Sequence, residues 1–196
     1  IVEKAREVFD GLHIHQVASP WLPPLEEKIY AKDTQSTNYK DYWGRSEALQ
    51  PILIGYQDIP ERQEQSPLYF NMEQRGHILL VSSPGFGKST FLQNFAMDVI
   101  RKHTPEQVHF YLYDFGTSGL ISISDFPHVA DYFTLDETEK IMKSLRFLNR
   151  EIKTRKHALS QARATNLRQY NQLSDESFPT IFIEIDGFDS VMDAPF

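Results

Sequence analysis

The stretch SSPGFGKST, at residues 82–90, constrains the fold more than any other part of the sequence. Gly85 and Gly87 let the backbone curl so that amide N–H groups can point toward an anion. Lys88 and Ser89 then complete the pattern Gly-x-x-x-x-Gly-Lys-[Ser/Thr] of loops that hold nucleotide phosphates. The apolar run HILLVSS precedes the loop and a helical pattern follows it. Because this is the strand, loop and helix setting that such a loop requires, we predict a nucleotide-binding α/β domain with a parallel sheet.

The predicted nucleotide contacts are consecutive residues of this loop: Pro84, Gly85, Phe86, Gly87, Lys88, Ser89 and Thr90. We expect Lys88 to reach the β and γ phosphates of ATP and the Ser89 hydroxyl to ligate Mg²⁺. An ordinary glycine turn is the alternative, but it would not need Lys-Ser at its end. Ser82 stands where the pattern begins with glycine, and a serine is strained where φ is positive. We therefore expect weakened rather than abolished nucleotide binding.

A second acidic feature closes the apolar run TIFIEID at Asp186. In ATPases with this type of loop, an acidic residue at the end of a hydrophobic strand holds Mg²⁺, here through water. Gly187 follows, where many such motors have a glutamate that polarises the attacking water. Since a general base contributes about 10²–10⁴-fold to the rate, the sequence predicts binding with slow or no hydrolysis.

Two other carboxylates are conceivable substitutes for that glutamate. Glu184 lies on the same strand face as Asp186, although a strand carboxylate paired with a neighbour is the favoured interpretation. Asp189 lies just beyond the strand, where a helix cap or a solvated turn is favoured more strongly. The triplet Asp114-Phe115-Gly116 matches a kinase motif, but the chain lacks the catalytic His-Arg-Asp loop that a kinase needs.

The remaining elements follow from hydrophobic periodicity. Residues 107–115 and 180–188 are predicted strands, and residues 51–55 and 67–72 are shorter β-like runs. Residues 89–103 and 136–164 are predicted helices. The second helix should begin at a cap formed by Asp136 and Glu139 and should bury a stripe made of Ile141, Leu145, Leu148 and Ile152.

The histidines show no metal-ligand spacing; those considered are His103, His109, His128 and His157.

Residues 1–50 differ in character from the rest and are predicted to be an inter-domain linker, with an ATP-binding domain over 51–196. A short helical pattern at Val2, Ala5, Val8 and Phe9 gives way to the proline-rich stretch SPWLPPL, which includes Pro20. A passive linker and a docking peptide anchored by Trp21 and Leu22 both remain open. Because a sheet of so few strands would leave an open edge, we expect polypeptide beyond Phe196.

The composition excludes several classes of protein. The absence of cysteine rules out disulfides and thiolate metal sites. A net charge of −7 argues against a surface for duplex DNA. No apolar run approaches the roughly 20 residues of a membrane-spanning helix. These features fit a folded domain in a reducing compartment.

Residues 54–90, 108–133 and 182–189 together resemble the FtsK/SpoIIIE ATPases of type VII secretion systems, and the stretch DFGTSGL with DFPHV is the most specific part. The resemblance implies a RecA-like P-loop NTPase core with three α/β/α layers. It carries Gly85, Gly87, Lys88, Ser89 and Asp186 over as ATP and Mg²⁺ residues.

The resemblance also implies a place in a larger protein. The family carries tandem ATPase modules on the cytoplasmic face of the cell membrane, exports WXG100-type proteins and is associated with virulence. Ser82 and Gly187 suggest a late, degenerate module. Implied partners are the other modules of the chain, WXG100 substrates, membrane proteins of the secretion complex and further copies in a hexamer. A nucleotide-independent docking module and a DNA translocase motor are the alternatives, and both the acidic charge and Gly187 count against the second.

Overall fold

The computed structural model describes residues 2–12, 21–44 and 48–191. The helices are α1 (Val2–Gly11), α2 (Ala31–Thr34), α3 (Met72–Arg75), α4 (Lys88–Lys102), α5 (Thr138–Gln161) and α6 (Leu167–Leu173). The strands are β1 (Ile52–Ile59), β2 (Glu64–Phe70), β3 (Val108–Asp114), β4 (Val129–Thr134) and β5 (Thr180–Asp186). Short 3₁₀ helices cover Tyr39–Asp41, Pro60–Arg62, Gly119–Ile123 and Phe188–Val191. No described helix is both long enough and apolar enough to cross a bilayer.

A parallel sheet of order β4-β3-β5 forms the centre of the domain. Side chains of β3 alternate between its two faces. Phe110 packs with Phe182 and with α4 through Phe95 and other residues. Tyr113 packs on the opposite face with a cluster that includes Phe133, Ile141 and Leu148. Because each face is covered by a helix, the strands are nearly continuous apolar runs. This arrangement confirms the predicted three-layer α/β class.

Strands β1 and β2 form a separate antiparallel hairpin. Both strands extend further into the polar stretch between them than their apolar runs predicted. The turn uses the 3₁₀ helix Pro60–Arg62 and Gln63, which adopts a left-handed conformation with φ of 49°. Ile52 is buried in the cluster around α4, and Ile54 and Phe70 pack against it, so the hairpin is attached to the domain core at this end.

The apolar run at residues 77–83 is not a strand, which corrects the sequence-based interpretation. It forms no ladder with any described strand, and Leu79 and Val81 are 80% and 85% exposed. Across a groove of about 700 Å³ it faces the side of β5 that does not pair with β3. The run has strand composition, but a strand also needs a hydrogen-bonding neighbour, and no described segment supplies one.

Helix α5 also departs from its predicted details. It begins after Glu137, and Asp136 accepts a hydrogen bond from the Thr134 hydroxyl instead of capping the helix. Ile141 and Leu148 are buried as predicted, but Leu145 and Ile152 are 45% and 53% exposed. The buried stripe is therefore narrower than predicted, and the sheet beneath the helix has three strands in the described part of the chain.

Residues 21–44 and 48–50 contact the domain near the carboxyl end of α4 and at the hairpin. At the carboxyl end of α4, the Trp43 indole N–H donates to the Ile100 carbonyl (3.3 Å) and Gln35 donates to Asp98 (3.1 Å). At the hairpin, Gln65 donates to the Pro23 carbonyl (2.6 Å). Trp21 remains 72% exposed, and Pro20 lies outside the described residues. This part of the predicted linker is thus held on the domain rather than passing freely over it.

Candidate functional site

The glycine loop joins residue 83 to the first turn of α4, and the predicted contact residues follow it in order. Pro84 and Phe86 lie in the loop, and Lys88, Ser89 and Thr90 form the start of the helix. Gly85 and Gly87 have φ of 81° and 82°, a region that other residues rarely adopt. The two glycines are therefore required by the loop geometry, and the amino end of α4 adds the positive end of its dipole.

Ser82 is not strained, so the physical reason for expecting weakened binding is wrong. The positive φ values between residues 82 and 90 fall on Gly85 and Gly87 alone. Ser82 contributes its main chain instead: its carbonyl accepts a hydrogen bond from Lys88 Nζ at 3.0 Å, and the Ser83 carbonyl accepts another at 3.2 Å. A backbone carbonyl serves equally well from serine or glycine, so the change in side chain is neutral for this contact.

Ser89 and Asp186 meet at the centre of the site. The Ser89 hydroxyl donates to Asp186 Oδ2 at 2.5 Å, although 97 positions separate the residues. Asp186 is the last residue of β5 and pairs in register with Asp114 at the end of β3. Because the carboxyl ends of parallel strands meet at one edge, the helix start and the strand end converge there. A hydroxyl beside a buried carboxylate is an oxygen donor pair suited to Mg²⁺.

The loop after β3 closes over this pair of residues, a feature that the sequence interpretation missed. A Cβ at Gly119 would lie 2.7 Å from Ser89 Cβ and 3.3 Å from Asp186 Oδ2. Gln93 of α4 donates to the Gly119 carbonyl, and Ser118 adopts a left-handed φ of 59°. The signal in the sequence was GTSG, since glycines on either side of a polar dipeptide suggest a close backbone approach.

Asp114 shapes this loop. Its Oδ2 accepts hydrogen bonds from the Leu120 amide (2.8 Å) and the Tyr132 hydroxyl (3.2 Å), and its Oδ1 accepts from the Gly116 amide (3.4 Å). Both oxygens of the Asp114 carboxylate therefore already accept hydrogen bonds from other groups of the protein. The structure therefore places Asp114 as a strand-end residue beside the site rather than as a kinase-like metal ligand.

Gly187 stands at a second close approach. Its φ is 71°, and a Cβ there would lie 2.7 Å from the Gly116 nitrogen and 2.8 Å from the Phe115 carbonyl carbon. The Phe115 amide also donates to the Asp186 carbonyl at 2.9 Å, which ties the ends of β3 and β5 together. A glutamate could not occupy this position without moving that backbone, so the absence of the glutamate is built into the fold.

Glu184 is buried without a partner, contrary to the paired carboxylate that was favoured. Neither carboxylate oxygen has a hydrogen-bond partner among the described residues. Burial raises the pKa of Glu184 to about 8, so the side chain is mostly protonated at neutral pH. It lines the groove between residues 77–83 and β5, together with Lys88.

Asp189 lies exposed in the first turn of the 3₁₀ helix Phe188–Val191. This position agrees with the interpretation of Asp189 as a residue of a solvated turn.

Two of the histidines are buried against the carboxyl end of α4 rather than at the site. Burial, followed by the nearby charge of Lys102, lowers the pKa of His103 to about 4. Its Nε2 accepts a hydrogen bond from the Gln50 amide (3.2 Å). His128 Nε2 bonds the His103 carbonyl at 2.8 Å. Because both rings are buried and hydrogen-bonded within the fold, these two histidines have structural contacts.

Comparison with known proteins identifies the family. Residues 50–194 match the family model described as FtsK/SpoIIIE. The chain is 44% identical over all its 196 residues to the type VII secretion system protein EssC of Staphylococcus aureus (strain NCTC 8325 / PS 47). It is 36% identical over 193 residues, 98% of the chain, to the ESX secretion system protein YukB of Bacillus subtilis (strain 168). It spans only 13% and 12% of these two relatives.

A solved structure supports the same assignment at the level of the fold. The structure of EssC (ATPases 2 and 3) from Geobacillus thermodenitrificans has a TM-score of 0.76 and 34% identity to this chain. The match covers 87% of this chain and 31% of that one. The fold is therefore that of a P-loop ATPase domain, and the chain belongs to the FtsK/SpoIIIE family.

Proposed function

We propose that this chain is an ATP-binding module of a membrane-anchored type VII secretion ATPase, with weak or absent hydrolysis. The observation that carries the proposal is the contact between Ser89 and Asp186 at the end of the glycine loop. It supports a site for a nucleotide with Mg²⁺, because these oxygens lie at the amino end of a helix that favours anions.

The loop residues have separate roles in this proposal. Backbone amides from Gly85 onward hold the phosphates, and Pro84, Phe86 and Thr90 complete the contact segment. Lys88, now bonded to two loop carbonyls, would instead bond the β and γ phosphates of a bound nucleotide. Ser89 and Asp186 would hold Mg²⁺. The metal supplies neutralisation of phosphate charge when bound.

Weak hydrolysis follows from the close approach at Gly187. A glutamate at that position would require displacement of the Phe115–Gly116 backbone. Glu184 is a poor substitute because it is buried and mostly protonated at neutral pH, and a protonated carboxyl cannot accept a proton from water. Neither position 187 nor Glu184 therefore supplies a positioned general base, and slow turnover is expected.

At the level of the whole protein, we place residues 51–196 as one ATPase domain and residues 1–50 as the linker that leads into it. The module would lie at the cytoplasmic face of the membrane, beside other ATPase modules of the same polypeptide. Export of WXG100-type proteins, contact with membrane proteins of the secretion complex and hexamer assembly are parts of this proposal. The similarity to EssC and YukB supports it.

Isothermal titration with Mg-ATP tests the binding half of the proposal. We expect saturable binding by the chain and its loss in Lys88→Ala, with Lys40→Ala as a matched control because Lys40 is exposed and lies outside the loop. Absence of binding at millimolar nucleotide, with circular dichroism showing an intact fold, would contradict it and favour a nucleotide-independent docking module.

Phosphate release tests the proposal of weak or absent hydrolysis. Turnover of about 1 s⁻¹ or faster, an ordinary enzyme rate, would contradict it.

A further inference from the structure

Helix α5 carries a concentration of positive charge that the nucleotide site does not use. It holds seven of the chain's 20 Lys and Arg residues but only two of its 27 Asp and Glu residues. The chain as a whole has a net charge of −7. The helix is thus a basic element in an otherwise strongly acidic protein.

Four of these basic residues form one straight row, which we call the basic ridge: Lys143, Arg146, Arg150 and Lys153. Their spacing of three, four and three residues places them on one side of the helix. That side lies opposite Ile141, Ser144 and Leu148, which are buried against the sheet. All four ridge residues are exposed, and the row is about 15 Å long at 1.5 Å per residue.

The ridge has few partners within the protein, and Arg150 lies over the Phe147 ring, 5.9 Å from its centroid. Lys143 has Glu139 at 3.9 Å, with both side chains largely exposed. In residues 2–12, 21–44 and 48–191, no carboxylate lies within 4 Å of the other three cations. The basic residues of α5 that help to hold the fold lie elsewhere on the helix: Lys140 pairs with Asp131 and Arg155 with Glu151.

The row also opposes helix formation, because like charges three or four residues apart repel each other. The ridge residues therefore contribute little to the fold and destabilise their own helix slightly. A bound external anion would reduce that repulsion. The four side chains could bind it without any rearrangement of the backbone.

We propose that the basic ridge is a contact surface for an anionic lipid bilayer. A plane of negative charge reaches all four side chains along the outer side of the helix at once. Each Lys or Arg at such a surface strengthens binding about fivefold. Because the chain outside α5 has an excess of acidic over basic residues, the ridge would also favour one orientation of the domain on the bilayer.

The inference rests on the proposed function in one respect, since attachment to a membrane-anchored protein would hold the ridge near lipid and raise its effective concentration. The contact itself is independent of nucleotide. The phosphate loop is on α4, which packs on the opposite face of the sheet from α5. Failure of lipid binding would therefore leave the ATP proposal untouched, and the converse also holds.

Sedimentation with vesicles tests the inference on the full chain. We expect binding at low salt to phosphatidylcholine vesicles containing about one-third phosphatidylglycerol, no binding to phosphatidylcholine alone, and release as salt is raised. The double variant Arg146→Gln/Arg150→Gln should bind about 25-fold more weakly. The matched control is Lys40→Gln/Arg62→Gln, which removes the same charge from exposed positions outside α5 and should bind like the parent.

Three outcomes would overturn the inference. The first is no sedimentation with the anionic vesicles while circular dichroism shows a folded chain. The second is an equal loss in the control pair, which would mean that net charge rather than the ridge is responsible. The third is displacement from the vesicles by duplex DNA with a ridge-dependent affinity for that DNA, which would assign the surface to nucleic acid. Circular dichroism of the ridge variant checks that its helix is intact, because the change at Arg150 also removes a contact with the Phe147 ring.

Discussion

Single residues at the ends of β3 and β5 decide what the candidate site can do. Gly119 permits the loop to reach Ser89, and Gly187 permits the chain to pass Phe115 and Gly116. The missing side chain of Gly119 makes room for Ser89 and Asp186, and that of Gly187 makes room for the backbone of Phe115 and Gly116. The lack of a glutamate after Asp186 is therefore a property of how two loops pack, and it cannot be reversed by one substitution.

The first prediction concerns Gly187. We expect Gly187→Glu to destabilise the chain by about 1–3 kcal/mol, because it adds a Cβ clash to a positive φ, and we expect no gain in ATP hydrolysis. Urea unfolding and phosphate release measure the two effects. Gly55→Ala is the matched control, since a Cβ at Gly55 meets nothing within 4 Å. A stable Gly187→Glu variant with rapid turnover would contradict this account.

The second prediction concerns the pH dependence caused by Glu184. Its pKa is about 8 in the folded chain against an ordinary value of 4.5, so between these values the folded chain keeps a proton that the unfolded chain releases. The contribution to stability is fully present below about pH 4.5 and is lost as pH rises toward 8, by up to about 1.4 kcal/mol per pH unit. Glu184→Gln should remove this slope in urea unfolding measured from pH 5 to pH 8. An unchanged slope would show that another group is responsible.

At the scale of elements, α4 is connected to its neighbours by a buried charge network near its carboxyl end. Asp98 binds Arg101 and Lys102 of its own helix and accepts hydrogen bonds from the Leu53 amide (2.9 Å) and from Gln35. Lys102 also donates to the Pro51 carbonyl (2.8 Å). One carboxylate thus joins the helix, the first strand of the hairpin and Gln35 of the predicted linker.

The third prediction is that Asp98→Asn destabilises the chain by about 3–5 kcal/mol, because the buried Lys102 ammonium loses its counter-charge. Urea unfolding at pH 7 measures the loss. The control is Asp58→Asn, which removes the same charge from an exposed position on β1 and should change stability by less than about 0.5 kcal/mol. Equal effects of the two substitutions would mean that Asp98 acts only through the net charge of the protein.

The elements also show which features a sequence can predict. The boundaries of α4 and β3 follow from local patterns of apolar and polar residues, and they were predicted nearly correctly. Residues 77–83 have the composition of a strand, but strand formation depends on a partner that local sequence does not specify. The isolation of Glu184 and the crowding at Gly187 depend on contacts between segments about 70 residues apart, so neither could be inferred from a single stretch.

For the whole molecule, the fourth prediction is that Mg-ATP stabilises the chain against heat. A ligand at 100 times its dissociation constant adds about 2.7 kcal/mol, which corresponds to a rise in Tm of about 5–10 °C for a domain of this size. Differential scanning calorimetry with and without Mg-ATP measures the shift.

Ser89→Ala should reduce the shift in Tm obtained with Mg²⁺ present. Thr34→Ala, which removes an exposed hydroxyl outside the site, should leave that shift unchanged. A full shift in Ser89→Ala would argue against its role as a metal ligand.

The position of α4 has a consequence for how the domain and its linker move together. Its first residues, Lys88 and Ser89, belong to the phosphate loop, and its last residues hold the linker through Ile100 and Asp98. A helix of 15 residues is a stiff rod about 22 Å long. Any tilt that nucleotide contacts impose at its amino end must displace its other end, where Trp43 and Gln35 are attached. We therefore expect nucleotide binding to shift residues 35–43 together with the carboxyl end of α4.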